Sequence, residues 1–256
     1  MAAIREYQMG TAPDSTDFIK ERIQNYWSLR SENFSGLRKQ ELECDMAVLW
    51  QNEIEKYLPT GKSLKILDVG TGSGFFAILL AGLGHQTTGI DLTPSMIEEA
   101  RKLAADQNAK ADFFVMDAEN PDFADESFDV VISRNLTWTL PHPEQAYAQW
   151  MRVLKKDGIL LNFDADYGNA GFSDYSALPT HHAHKIIGDS MLAECDAIKA
   201  QLDISRYMRP VWDIHTLLEL GMEEIQIDTG ISRRIYTKQD AFYNPTPMFA
   251  LCAIKR

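Results

Sequence analysis

Positive charge is in short supply: 25 Lys and Arg stand against 37 Asp and Glu, a net charge of −12. Such an excess repels nucleic acid unless a local basic patch offsets it. The richest basic stretches, "RKLAADQNAK" and "ISRRIYTK", are not dense, so a nucleic-acid partner is disfavoured and a small-molecule one expected. Cysteine is scarcer still. Cys44, Cys195 and Cys252 lie far apart with no CxxC spacing, which excludes a disulfide framework and leaves reduced, mostly buried thiols as the expectation. Long apolar runs are missing too. The longest, "FFAILLAGLG", is about half the ~20 residues a membrane-spanning helix needs. The opening "MAAIREYQMG" has no apolar segment of the secretory kind. A cytoplasmic protein, monomer or homodimer, without membrane contact is expected. No internal repeat or low-complexity segment is found.

What is present is ordinary globular composition, 45% hydrophobic and 24% charged over 256 residues, enough for one large domain or a domain with a cap. From Asp17 to Leu58 apolar residues recur at helical intervals, and Pro59-Thr60-Gly61 ends that region. Short apolar runs then alternate with helical patterns. Strands are predicted at 64–69, 86–91, 111–117, 128–134, 159–164, 222–230 and 248–255. Helices are predicted after Gly74, from Thr93-Pro94, over 143–156 and over 212–221, closed where Gly84, Gly158 and Gly221 fall. The alternation implies an α/β fold with a mostly parallel, doubly wound sheet. The rhythm lapses over 165–212, after the fifth strand. Ligands of open α/β sheets bind at that carboxyl edge, so this insertion and residues 1–58 are expected to form a lid and an N-terminal helical cap on a core of 59–256.

"LDVGTGSGF" (67–75) places three glycines on alternate positions between a strand and a helix. Glycine tolerates the turn's backbone angles and lets main-chain N–H groups approach a ligand at the helix N-terminus. The spacing departs from the G-x-G-x-x-G of dinucleotide sites, which disfavours a nicotinamide oxidoreductase. Asp68 stands two residues before the first glycine, awkward for a phosphate but suited to an ammonium or sulfonium. Asp91 ends the second strand, about 20 residues after the glycine loop, where an acid can hold ribose hydroxyls. Asp117 ends the third and can take an exocyclic amine such as adenine's. The alternative for each acid is a hydrated strand end, and for the glycines a plain structural turn.

With these residues the sequence resembles the class I S-adenosylmethionine-dependent methyltransferases. "LDVGTGSGF", "GIDLTPSMIEEAR", "VMDAENPDF" and "FDVVISRNLTWTLPHPEQAYAQWMRVLKKDGILL" follow one another in the order of that family's motifs. The resemblance covers roughly residues 60–165 closely and the rest by order of elements. It implies a Rossmann-like sheet of seven strands with the last antiparallel, and S-adenosylmethionine as methyl donor, leaving as S-adenosylhomocysteine. It further implies that Gly70, Thr71, Gly72 and Gly74 line the methionine moiety. Asp68 would sit near its amino group and Asp91 on the ribose. Leu92 and Met96 would lie against the adenine, Asp117 and Ala118 at its edge, and Arg134 and Asn135 beside the sulfonium and the acceptor.

Candidates for the acceptor side come from three stretches. "NYWSLRSENF" sets Tyr26, Trp27, Arg30 and Phe34 near one helix face, and by analogy such a segment closes over the cofactor, with Arg30 paired to the donor's carboxylate. "NLTWTLPHP" offers Trp138 as a pocket wall and His142 as a base. Asp164, Asp166 and Tyr167 follow the fifth strand toward the same edge. The catalytic candidates are therefore Tyr26, His142 and Asp164, and Trp138, Tyr167, His181, His182 and Arg209 are the acceptor candidates. His181, His182 and His184 do not match a zinc pattern, and no metal is expected. The lid's acids, aromatics and histidines hint at a polar or cationic acceptor. A non-catalytic protein that merely binds the donor on the same fold is the alternative to an enzyme, and the N-P-P-Y motif of amino-methylating DNA enzymes is absent after the fourth strand.

Overall fold

The structure is a computed structural model and describes residues 15–173, 178, 182, 185 and 187–256. Its centre is one seven-stranded sheet. The strands are β1 (Lys65–Val69), β2 (Gln86–Asp91), β3 (Ala111–Val115), β4 (Phe128–Arg134), β5 (Leu154–Ala165), β6 (Glu224–Asp228) and β7 (Met248–Ile254). Their spatial order is β3-β2-β1-β4-β5-β7-β6. All neighbours are parallel except β7, which runs antiparallel to both β5 and β6. Strand order reverses between β1 and β4, the switch point at which open α/β sheets form a ligand crevice.

Alternation along the central strands puts apolar side chains on both faces, as a doubly covered sheet requires. Ile66, Val130, Ile132, Leu161 and Phe163 pack with Trp50, Phe75 and Phe76 on one side. Leu67, Val69, Val131 and Leu160 pack with Tyr147, Trp150 and Leu217 on the other. Trp50 meets Phe76 and Phe163 edge-on, at 5.2 and 5.4 Å between ring centres, a geometry aromatic pairs prefer.

The helices that matter for the crevice are α1 (Ser15–Leu42), α2 (Asp45–Glu55), α3 (Phe75–Gly82), α4 (Pro94–Asp106) and α5 (Pro143–Val153). Three more follow: α6 (Asp189–Lys199), α7 (Val211–Glu219) and the short α8 (Ile231–Ile235). Pro94 opens α4 and Pro143 opens α5, positions where the missing N–H costs nothing. Thr93 precedes α4 as expected, although its side chain makes no cap bond.

The third and sixth strands are shorter than predicted, β3 ending at Val115 and β6 spanning Glu224–Asp228, and the largest difference lies where the fifth helix meets the fifth strand. Helix α5 stops at Val153, and β5 begins at Leu154, five residues earlier than predicted. Leu154 is fully buried opposite Phe128, and the chain then turns through Asp157, at φ +60°, before the ladder resumes at Ile159. Burial of one leucine thus overrides the helical pattern of "RVLKK". Of the cysteines, Cys195 and Cys252 are buried and Cys44 is exposed. No helix among the described residues is long and apolar enough to cross a membrane.

Candidate functional site

The glycine loop between β1 and α3 is left-handed at each glycine: φ is +65° at Gly70, +55° at Gly72 and +88° at Gly74, a region that costs other residues about 1–2 kcal/mol. Close approach adds a second reason. A Cβ on Gly70 would lie 2.5 Å from Leu136 Cδ1, and one on Gly72 would lie 3.0 Å from Phe34 Cε1. Asp68, at the end of β1, braces the loop. Its Oδ2 accepts from Thr71 Oγ1 at 2.6 Å and from the Ala77 amide at 3.1 Å. Asp91, at the end of β2, accepts from the Gly72 amide at 3.0 Å through Oδ2 and from the Thr93 amide at 2.8 Å through Oδ1. Asp117 lies two residues beyond β3, where Oδ1 accepts from the Glu119 amide at 2.9 Å. Burial pushes the Asp68 carboxyl up to about 7, against the pull of its two hydrogen bonds, with Asp91 adding to the rise. Burial also raises Asp91. A buried carboxylate and a half-buried one thus stand beside a left-handed turn whose amides they and the β2 backbone hold in place, an arrangement that favours a cation with hydrogen-bonding hydroxyls.

One cavity of ≈ 260 Å³ opens onto all three acids and runs under α1. Lys20, Ile23, Trp27, Arg30, Phe34 and Leu37 line it from that helix. Their spacing of three and four is that of a single helix face. The helix is fastened along its length. Lys20 Nζ reaches Asp117 Oδ2 at 2.7 Å and Glu119 Oε2 at 2.5 Å, and Gln24 Nε2 donates to the Leu92 carbonyl at 2.7 Å.

Further along α1 sits a buried charge cluster. Glu41 is paired with Arg38 and, at 2.8 Å, with Arg134 Nη2 from the end of β4. It also accepts from Trp50 Nε1 at 2.9 Å. Burial works to raise the Glu41 carboxyl, but Arg134 and Arg38 hold it below its ordinary range. The two guanidiniums share this one acid. Burial, with Arg134 beside it, brings Arg38 down to about 10 despite Glu41. Arg134 Nε and Nη1 are buried without a well-aligned partner among the described residues, with Tyr236 as their other neighbour. A buried unpaired guanidinium donor is costly, and both arginines line the cavity. The cluster therefore fits an anionic group.

The far end of the cavity is aromatic. Trp138, Tyr167 and Phe172 pack on one another with ring centres 5.1, 5.2 and 5.5 Å apart. Tyr167 Oη donates to Asn135 Oδ1 at 3.0 Å and accepts from Asn244 Nδ2 at 2.8 Å. Helix α6 of the insertion closes this end against α1: Arg22 forks onto Glu194 at 2.5 and 2.8 Å, and Cys195 meets Tyr26. Burial raises both of these groups, the Cys195 thiol to about 11, so each stays protonated at neutral pH. His182 Nε2 lies 2.7 Å from the Tyr243 carbonyl. That oxygen can only accept, so Nε2 carries a proton, and burial lowers the ring's affinity for a second one.

The cavity thus gathers Tyr26, Trp27, Arg30, Asp68, Gly70, Thr71, Gly72, Asp91, Leu92, Met96, Asp117, Ala118, Arg134, Asn135, Trp138, Tyr167 and His182. Five residues singled out from the sequence stay outside its lining. Gly74 packs on Phe113 instead. Asp166 accepts from the Gly168 and Arg209 amides at 3.3 and 3.4 Å. His142 lies 3.3 Å from Thr16 Oγ1 and its amide donates to Glu119. Asp164 and Arg209 are buried behind the wall. Arg209 Nη1 donates to Asp164 Oδ2 at 2.9 Å, Nε and Nη2 hold Asp213, and Nη2 also reaches Thr137 at 2.5 Å. Asp164 Oδ2 accepts from the Trp138 amide at 3.2 Å. This pair holds the Thr137–Thr139 turn and so supports Trp138 from behind, with no opening toward a ligand. The expectations for His181 and His184 lie outside the described residues. Sequence reasoning missed Lys20, Arg38, Glu41, Tyr236 and Asn244. For Arg38 a signal existed, since it continues the 27-30-34 spacing.

The topology, with β7 reversed at the sixth place and a glycine-loop crevice at the switch point, is that of a class I methyltransferase. Residues 67–162 match the family described as a methyltransferase domain. Aklanonic acid methyltransferase DauC of Streptomyces sp. (strain C5) is 34% identical over 119 residues, 41% of this chain and 54% of that protein. Ubiquinone biosynthesis O-methyltransferase of Xanthomonas oryzae pv. oryzae is 32% identical over 142 residues, 50% of this chain and 59% of that protein. The chain thus spans little more than half the length of these curated relatives. Among solved structures, a TehB-like methyltransferase from Corynebacterium glutamicum superimposes with a TM-score of 0.56 at 20% identity, over 89% of this chain and 99% of that one. At that identity the likeness concerns the fold.

Proposed function

We propose that this protein moves a methyl group from S-adenosylmethionine to a small-molecule acceptor. The observation that carries the reading is the single cavity joining three strand-end acids and a left-handed glycine loop to an aromatic chamber under α1. The donor fits these residues. Asp68 answers its ammonium, the buried Arg38–Arg134 pair its carboxylate, Asp91 its ribose hydroxyls, and Asp117 with Ala118 the adenine edge. When bound, the donor supplies a methyl group on a positively charged sulfur, which an acceptor's lone pair displaces.

The chain's own contribution is position and dryness. Asp91 ties the glycine loop to the turn before α4, so the ribose contact and the methionine contact are set by one carboxylate. Trp138, Tyr167 and Phe172 form the wall against which an acceptor rests, and the Asn244–Tyr167–Asn135 chain fixes that wall relative to the end of β4. Helices α1 and α6 exclude water from the reacting end. Orientation of this kind is worth roughly 7–11 kcal/mol of barrier, and a dry site strengthens the charges within it. Tyr26 and Cys195, held protonated, act as walls and hydrogen donors rather than bases. The three unpaired cysteines support a cytoplasmic location.

Purified protein incubated with methyl-labelled S-adenosylmethionine and the small-molecule fraction of a cell extract is expected to yield a labelled small product together with S-adenosylhomocysteine. Binding of S-adenosylhomocysteine with no labelled product from any extract would instead mark a non-catalytic binder.

A further inference from the structure

Charges on the cavity wall are unevenly placed. Its acids, Asp68, Asp91 and Asp117, all belong to the donor end, and among the described lining residues the aromatic end carries none. Its cations are Lys20, Arg30, Arg38 and Arg134. Lys20 is paired with Asp117 and Glu119, and Arg38 and Arg134 with Glu41. Arg30 has no carboxylate partner among the described residues. Its Nη1 donates to the Tyr26 hydroxyl at 2.7 Å, and its guanidinium carbon stands 5.4 and 5.0 Å from the Tyr26 and Trp27 ring centres. Those two rings share a recess with Trp138, Thr139 and Cys195. Arg30 therefore sits where α1, the wall after β4 and the insertion helix meet.

This arrangement is hostile to a cationic acceptor. No carboxylate among the described lining residues would neutralise it, and a cation already stands over the Tyr26 and Trp27 rings that would otherwise attract it. Lys199 Nζ lies 5.2 Å from the Phe172 centre, a second cation at this end. An anion meets the opposite situation: a guanidinium whose hydrogen bond among the described residues is to the Tyr26 hydroxyl, flanked by two aromatic rings. We propose that the acceptor is a planar, apolar-bodied compound carrying one carboxylate, which Arg30 receives while the aromatic wall takes the ring. The proposal rests on the methyl-transfer reading for what fills the other end. It moves Arg30 from the donor's carboxylate, its place in the sequence reading, to the acceptor's, and leaves the donor's to Arg38 and Arg134.

The test uses the full chain saturated with S-adenosylhomocysteine and three probes of one shape: 3,4-dihydroxybenzoate, its methyl ester, and 3,4-dihydroxybenzylamine. Calorimetry is expected to rank the acid at least about tenfold tighter than either of the others, the scale of a charge-assisted fork. Arg30→Met should erase that preference and leave the affinity for S-adenosylhomocysteine within about twofold, while Arg30→Lys keeps part of it, as a point charge does. An ester or amine that binds as well as the acid overturns the proposal, as does failure of all three to bind. An Arg30→Met variant that loses S-adenosylhomocysteine about tenfold returns Arg30 to the donor. A chain that binds no S-adenosylhomocysteine at all defeats the methyl-transfer reading instead, and the probe ranking on the unloaded protein still decides the role of Arg30.

Discussion

Asp68 should make donor binding depend on pH near neutrality. Its side chain is buried, and burial pushes its carboxyl up to about 7, with Asp91 adding to the rise. A ligand ammonium binds the ionised form. About one carboxyl in thirty is ionised at pH 5.5 and about half at pH 7, so the affinity for S-adenosylhomocysteine should rise about fifteenfold across that window. The sign for stability is the reverse. A carboxyl raised on folding favours the folded state when protonated, so its contribution is full below about pH 4 and is lost as pH climbs toward 7, by at most about 1.4 kcal/mol per pH unit. Asp91, raised in the same direction, adds to that loss. Calorimetry at pH 5.5, 6.3 and 7.0, in buffers of different ionisation enthalpy, should show proton release that shrinks as pH rises. Asp68→Asn should flatten both the affinity curve and the proton release. A flat profile in the native chain, or an unchanged slope in the variant, would refute the assignment of the ammonium to this acid.

Other perturbations have equally definite outcomes. Asp91→Ala removes the acceptor of two loop amides as well as the ribose contact, and should weaken S-adenosylhomocysteine by roughly 1.5–3 kcal/mol by calorimetry. Arg209→Met leaves Asp164 and Asp213 buried without their cation and should cost about 3–5 kcal/mol in urea unfolding. Gly72→Ala forces a side chain into a left-handed residue and onto Phe34. It should cost about 1–2 kcal/mol, read as a lower unfolding midpoint.

The sheet and the donor end were legible because their signals are local. A strand, a glycine turn and a helix occupy nine residues around Gly72, and strand-end acids announce themselves by position. The antiparallel last strand came from the family resemblance rather than from any residue pattern, and the order of strands in space came from the structure. What stayed hidden depends on contacts across the chain. Leu154 belongs to a strand only because Phe128 lies opposite it. Asp164 and Arg209 read as pocket residues from their place after β5 and in the insertion. They neutralise one another across 45 residues and face away from the cavity. Glu41 and Arg134 likewise meet only because α1 crosses the end of β4. The stretch Phe242–Pro245, which lines the cavity, has no periodicity to mark it.

A crystal structure of the S-adenosylhomocysteine complex bears most directly on the central claim. The ribose hydroxyls should lie on Asp91, the amino group at Asp68 and the carboxylate at Arg38 and Arg134, with the sulfur turned toward Trp138 and Tyr167. A nucleoside bound away from the glycine loop, or oriented with its sulfur away from the aromatic wall, would contradict it.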